Sequence, residues 1–194
     1  LFRSGKIEPL SVKNDLISGV DIAATSLAIA RINLPDYMHG IDFLAPGYQK
    51  REYVVGARDR CDETVDRIRS VHTKYFNYIR NYYPERPYTQ QNRYKDTRYP
   101  MLSLMKKLHQ EGKLTPEQEL FMAPQKPAEE LYDLLSDPYE INNVAEHPAY
   151  QNRLQQMRTI LDNWIEETGD QGRIPESQAI LDKVLQQRIE EYGF

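Results

Sequence analysis

The chain has one cysteine, Cys61, and one tryptophan among its 194 residues. A lone cysteine excludes an internal disulfide and leaves the redox compartment open. No apolar run approaches the roughly 20 residues that a membrane-spanning helix needs. Basic charge is also scarce, with 25 lysines and arginines against 29 acids and a formal charge of −4, which argues against binding dominated by nucleic-acid phosphate. There is no Asn-x-Ser/Thr acceptor and no internal repeat. The opening LFRSGKIEPLSVKND lacks the apolar core of a secretory signal and does not start with methionine, so the chain is expected to be part of a longer protein.

Tyrosine is abundant: 14 against five phenylalanines, a set suited to half-buried surfaces. Residues 15–31 place Leu16, Val20, Ala23, Ala24, Leu27 and Ala30 at three- and four-residue spacing, predicting one helix with an apolar stripe. From Arg51 the chain turns β-branched and aromatic, predicting three strands, the last two in a hairpin around Thr73 and Lys74. The proline-bearing stretch 84–100 reads as a long surface loop. Two helical pieces follow, 100–112 and 115–122. The second carries a capping box, Thr115 with Gln118, and Pro116 at its first position.

Residues 130–135 read as a fourth strand. Tyr150, Leu154, Met157, Leu161, Trp164 and Thr168 then share one face of an amphipathic helix expected to lie across the sheet. A weaker terminal helix would be anchored by Ile180, Val184 and Ile189. The expected class is α+β: a small, roughly four-stranded antiparallel sheet packed by a C-terminal amphipathic helix.

Four segments carry candidate chemistry. In 136–143, SDPYEINN, Asp137, Glu140, Asn142 and Asn143 offer oxygens, but the central glycine and terminal glutamate of a calcium loop are missing. Turn chemistry accounts for it better, because Asp and Asn side chains bond nearby amides. In 57–67, ARDRCDETVDR, four acids and three arginines crowd the end of a strand. Arginine forks match sulfate, phosphate or carboxylate, so Arg58, Asp59, Arg60, Asp62 and Glu63 are the candidate substrate-binding residues, against the plainer reading of a solvated turn with mutual ion pairs. Cys61 has no neighbouring histidine and no metal-ligand spacing. The stretch 74–98 interleaves tyrosine with lysine and arginine and could stack on bases or on sugar rings, although covering a sheet face and a proline loop explains it more simply. No nucleophile, base and oxyanion site assemble from the residues alone.

The order of segments adds more. Residues 3–46 resemble the late part of the sulfatase catalytic domain, where W-x-G-x-I-x-P is followed by a helix of the type SxxDLAPTLLxLAGI and then P-x-x-M-x-G-x-S-F-L. The chain keeps Gly5, Ile7, Pro9, Asp21, Ile22, Ala23, Pro35, Met38, Gly40, Phe43 and Leu44. Residues 57–88 and 126–151 are similar to the C-terminal subdomain of the same alkaline-phosphatase-like family, and ELYDLLSDPYEINNVA to the signature that closes its sheet.

The resemblance implies that 1–50 end the catalytic α/β domain, 51–170 form the C-terminal subdomain, and 171–194 form a helical tail. It implies a parent enzyme that hydrolyses sulfate esters of glycans or aryl sulfates, using a formylglycine and calcium. Both would lie upstream, because Cys61-Asp62-Glu63-Thr64-Val65 does not match the Cys/Ser-x-Pro/Ala-x-Arg modification motif. The chain alone is then expected to hold no catalytic or metal residue and to be inactive. Its partners would be the upstream catalytic domain and a sulfated substrate, and its location periplasmic or extracellular. The competing expectation is a non-catalytic carbohydrate-binding or interaction module using the tyrosine and arginine surface.

Overall fold

In a computed structural model of the chain, residues 10–193 are described; Gly5, Ile7 and Pro9 of the motif above lie outside them. The described residues contain one four-stranded antiparallel sheet, in the order β1-β2-β3-β4, and six α-helices, an α+β fold. They divide into two compact units, 10–55 with 72–75, and 56–71 with 76–193.

In the first unit, α1 (Gly19–Ile29) is shorter than the sequence predicts. Ser18 and Asp21 form a capping box that starts the helix, while Leu16 pairs with Arg51 in an isolated antiparallel bridge and so cannot be helical. The buried face also differs from the expected stripe. Asp21, Ala24 and Thr25 are buried, whereas Val20 is 53% exposed. The polar side chains turn inward because they hold the next loop: Asp21 Oδ1 accepts from the Ile41 amide (2.9 Å) and Thr25 Oγ1 from that of Phe43 (3.2 Å).

Arg51 donates two hydrogen bonds to Asp21, 2.8 and 2.6 Å. Burial alone would raise the Asp21 pKa, but Arg51 and the Ile41 and Ser18 amides outweigh it and hold the carboxyl below the ordinary range. Gly40 lies so close to this helix that a Cβ would stand 2.2 Å from the Val20 carbonyl oxygen, which explains glycine at that motif position.

The second unit carries most of the sheet, which is built from β1 (Tyr53–Cys61), β2 (Thr64–Thr73), β3 (Phe76–Asn81) and β4 (Glu129–Asp133). The expected hairpin around residues 73 and 74 is present, joining β2 to β3. The register of β3 on β4 sets Tyr78 opposite Leu131 and Ile79 opposite Glu130, so alternate residues go to opposite faces. One face meets α5 (Gln151–Thr168), led by a 3-10 turn over Pro148–Tyr150. Leu154, Met157 and Leu161 of α5 are buried with Tyr78 and Leu131, as the helical stripe predicts. At the rim, Arg158 Nε donates to Glu129 (2.8 Å) and Arg80 to Asp162 (2.6 Å).

The opposite face is buried but polar. Glu130 accepts from Asn81 (2.6 Å), Tyr132 and Tyr88, and Lys126 pairs with Asp66, both almost fully enclosed. Burial first, then Glu130, pushes the Tyr132 and Tyr88 hydroxyl pKa values upward.

The segment that covers this face was expected to begin as a loop, and the structure corrects that with a short helix, α2 (Arg93–Arg98), ahead of α3 (Pro100–Gln110). Asn92 accepts from the Lys95 amide and donates to the Cys61 carbonyl, so α2 depends on a tertiary anchor rather than on an apolar stripe. The helix α4 (Pro116–Met122) has the expected capping box. The last helix, α6 (Gln178–Tyr192), is held by Arg188 on Asp62 (2.9 Å) and by Tyr192 against Tyr94; Ile180, expected as an anchor, is 47% exposed.

Candidate functional site

The β1–β2 hairpin turns through Asp62, whose φ of 52° lies in the left-handed region that Asp tolerates better than most residues. This turn and the strand ends beside it carry all five predicted substrate-binding residues, and the structure separates them. Asp59 and Arg60 line a cleft of about 450 Å³ between β2 and the turn at 170–176. Asp62 and Glu63 face other elements: Asp62 meets Arg188 of α6, and Glu63 accepts from the Arg93 amide of α2 (2.7 Å). Arg58 lends its carbonyl to Arg69 (3.2 Å), and its own Nε is buried without an acceptor.

Beneath the cleft lies Arg69, fully buried. Its Nε and Nη2 grip Asp170 at 3.0 and 2.9 Å, Nη1 and Nη2 reach Asp59 at 2.8 and 3.1 Å, and Nη1 also donates to the Ile68 carbonyl at 2.9 Å. The fork is fully satisfied, as a buried charge requires. Arg69 first, then the Gly172 amide, holds the Asp170 carboxyl below the usual aspartate range against the opposing effect of burial. Gly172 leaves room for the fork, since a Cβ there would sit 1.9 Å from Arg69 Nη2. Arg60 closes the rim by pairing with Glu176 (2.5 Å) and donating to the Asp62 carbonyl (2.7 Å).

Arg67, Tyr83, Asp170 and Gly172 also line the cleft, and none of them stood out as a site residue in the sequence. Arg67 stood in the charged segment, and its guanidinium lies 3.7 Å from the centre of the Tyr82 ring. Arg86 lies 4.2 Å from the Tyr83 ring, a second stack directly beside the first. The adjacent Tyr82-Tyr83 pair was the available signal. Asp170 and Gly172 had none, being about a hundred residues from their partner Arg69.

A larger depression of about 610 Å³ lies over the polar sheet face. Ile79, Leu120, Phe121 and Tyr132 make its lining mainly apolar, and its one lysine, Lys126, is tied to Asp66.

The other candidate segments resolve into architecture. Asp137 accepts from the Asn142 amide (2.7 Å), and Asn143 bonds the backbone of Leu131, Ala145 and Glu129, extending the sheet edge through a side chain. Tyr78 and Tyr88 are spent on Glu129 and Glu130, whereas Tyr75 and Tyr94 of the same stretch, and Tyr99 just after it, are exposed. Among the described residues, no group of three or more His, Cys, Asp or Glu side chains is arranged to hold a metal ion.

These geometries stand beside two curated relatives, both ulvan-active sulfatases of Formosa agariphila. One is 42% identical over 176 residues, covering 90% of this chain and 29% of the relative. The other is 28% identical over 171 residues, covering 84% and 32%. The chain matches a C-terminal portion of the sulfatase family. It spans about a third of the length of these sulfatases. The solved structure of a 2-O GAG sulfatase superposes with a TM-score of 0.53 at 21% identity, over 80% of this chain and 26% of that one. A Bacteroides thetaiotaomicron protein assigned as a sulfatase gives 0.52, again at 21% identity over 80% and 26%. Both share the fold. No family model matches the chain.

Proposed function

We propose that this chain is the C-terminal part of a sulfatase that removes sulfate esters from a sulfated polysaccharide, and that it shapes the pocket wall while the upstream part supplies the reacting groups. The observation that carries the proposal is the 42% identity over 176 residues to an ulvan-active sulfatase.

The formylglycine and calcium that sulfatase chemistry uses do not fit the residues present. Cys61 is followed by Asp62-Glu63-Thr64-Val65, which is not the modification motif. The acids nearest to it, Asp59, Asp62, Glu63 and Asp66, are bound to Arg69, Arg188, Arg93 and Lys126, so a cation would have to displace four basic side chains. Both groups belong upstream under this proposal. Arg58, Asp59, Arg60, Asp62 and Glu63 then act as a pocket rim, with Arg60 and Asp59 nearest to substrate. Under this proposal the enzyme works in the periplasm or outside the cell, because a charged sulfated saccharide does not diffuse across the cytoplasmic membrane.

The test compares the chain with a version extended through its upstream region, reading sulfate release from ulvan and other sulfated polysaccharides by ion chromatography. The extended protein releases sulfate and the chain alone does not. Release by the chain alone, or none by the extended protein, overturns the proposal. In the extended protein, Arg60→Ala raises KM several-fold and changes kcat little.

A further inference from the structure

Arg67 is unlike the other basic side chains around the 450 Å³ cleft. Arg69 is saturated by Asp59 and Asp170, Arg60 is paired with Glu176, and Lys126 with Asp66. Arg67 has no ion pair among the described residues. Its Nε is buried without an acceptor, and among the described residues no group accepts from its two Nη nitrogens, which are left to the cleft that Arg67 lines. What fixes it is the Tyr82 ring at 3.7 Å, which sets the plane of the fork without consuming any N–H. A buried donor left unmade costs free energy, and a fork held flat with its donors free is already ordered for a two-oxygen acceptor.

We infer that this cleft is an oxyanion subsite for an anionic sugar, in which Arg67, stacked on Tyr82, binds a sulfate half-ester or a uronate carboxylate. The inference rests on the sulfatase reading for the choice of a sugar as carrier; the fork itself selects the oxyanion. Of the acids in the wall, Glu176 is held on Arg60 and Asp66 on Lys126, while Asp59 and Asp170 share the single charge of Arg69, so Arg67 offsets the remaining negative charge and selects an oxyanion through its open N–H donors rather than through an excess of positive charge. The neighbouring Arg86–Tyr83 stack stiffens the same wall, with Arg86 Nη1 donating to the Val65 carbonyl (2.7 Å). The volume lies within the range of about 300–1,000 Å³ typical of small-ligand pockets. It suits one or two sugar units of a longer chain, whose reacting sulfate would sit elsewhere. Arg67 is therefore a binding residue.

The test titrates the chain with ulvan oligosaccharides and follows affinity by calorimetry and the Arg67 Nε–H resonance by NMR. The expected result is a saturable shift of that resonance in the unaltered protein. Affinity falls about tenfold in Arg67→Ala, and Arg67→Lys restores it only in part because an ammonium lacks the planar fork. Desulfated and carboxyl-reduced oligosaccharides identify the anion: whichever treatment abolishes the difference between Arg67→Ala and the unaltered protein removes the group that Arg67 holds. Absence of binding, an unmoved resonance, or equal affinity in the variant overturns the subsite. None of these readouts needs turnover, so failure here is distinct from absence of sulfate release by the extended protein.

Discussion

Arg69 and Asp170 show how one side chain can tie distant segments together. Their partnership joins β2 to the turn after α5 across 101 residues of sequence, with both side chains enclosed. Because the folded-state pKa of Asp170 is depressed, its contribution is fully present above the ordinary aspartate value of 3.8 and is lost as pH falls through the lower folded value. Asp170→Asn should therefore destabilise the chain by about 2–3 kcal/mol at pH 7, since it leaves Arg69 only the half-exposed Asp59. The gap from the unaltered chain should narrow below pH 3.8 in urea unfolding at a series of pH values. Gly172→Ala tests the same junction sterically. The new Cβ meets a guanidinium end that five hydrogen bonds prevent from yielding, and a loss of about 1–3 kcal/mol is expected in the same assay. A strand arginine and a distant Asp carry no mark of their pairing, because sequence patterns report local period and not which segments later meet.

Among the elements, those whose stability is local were the ones readable in advance. The stripe of α5 is legible because Leu154, Met157 and Leu161 recur at helical spacing, and all three are buried. Leu161→Ala should cost about 2–5 kcal/mol in thermal or denaturant unfolding. The capping box of α4 is similarly local. Elements whose reasons are tertiary were misread. The polar six-residue α2 has no stripe and depends on Asn92, itself anchored to Cys61 and Thr64. The inward face of α1 is set by Asp21 and Thr25 bonding a loop some twenty residues on. On the second sheet face lies a buried lysine, Lys126, paired with Asp66, which no local pattern marks in the sequence. Lys126→Met should cost about 3–5 kcal/mol by stranding Asp66, and the cost of adding Asp66→Asn should be far less than additive.

At the scale of the whole molecule, a chain without disulfide or membrane helix among its described residues organises its second unit on an apolar core on one sheet face and buried polar networks on the other. Around the cleft most guanidinium forks are already spent on carboxylates, Arg60 on Glu176 and Arg69 on Asp59 and Asp170. What the sequence determined by itself was the order of the four strands and of the helices other than α2, the α+β class and the resemblance to the C-terminal part of sulfatases, because hydrophobic period, caps and motif order are local properties of a chain. Only the tertiary structure decided which charges neutralise one another. It split the candidate segment between cleft, α2 and α6, saturated Arg69 and left the fork of Arg67 open. The physical reason is that the value of a charge depends on its partners and burial, and both come from residues far away along the chain.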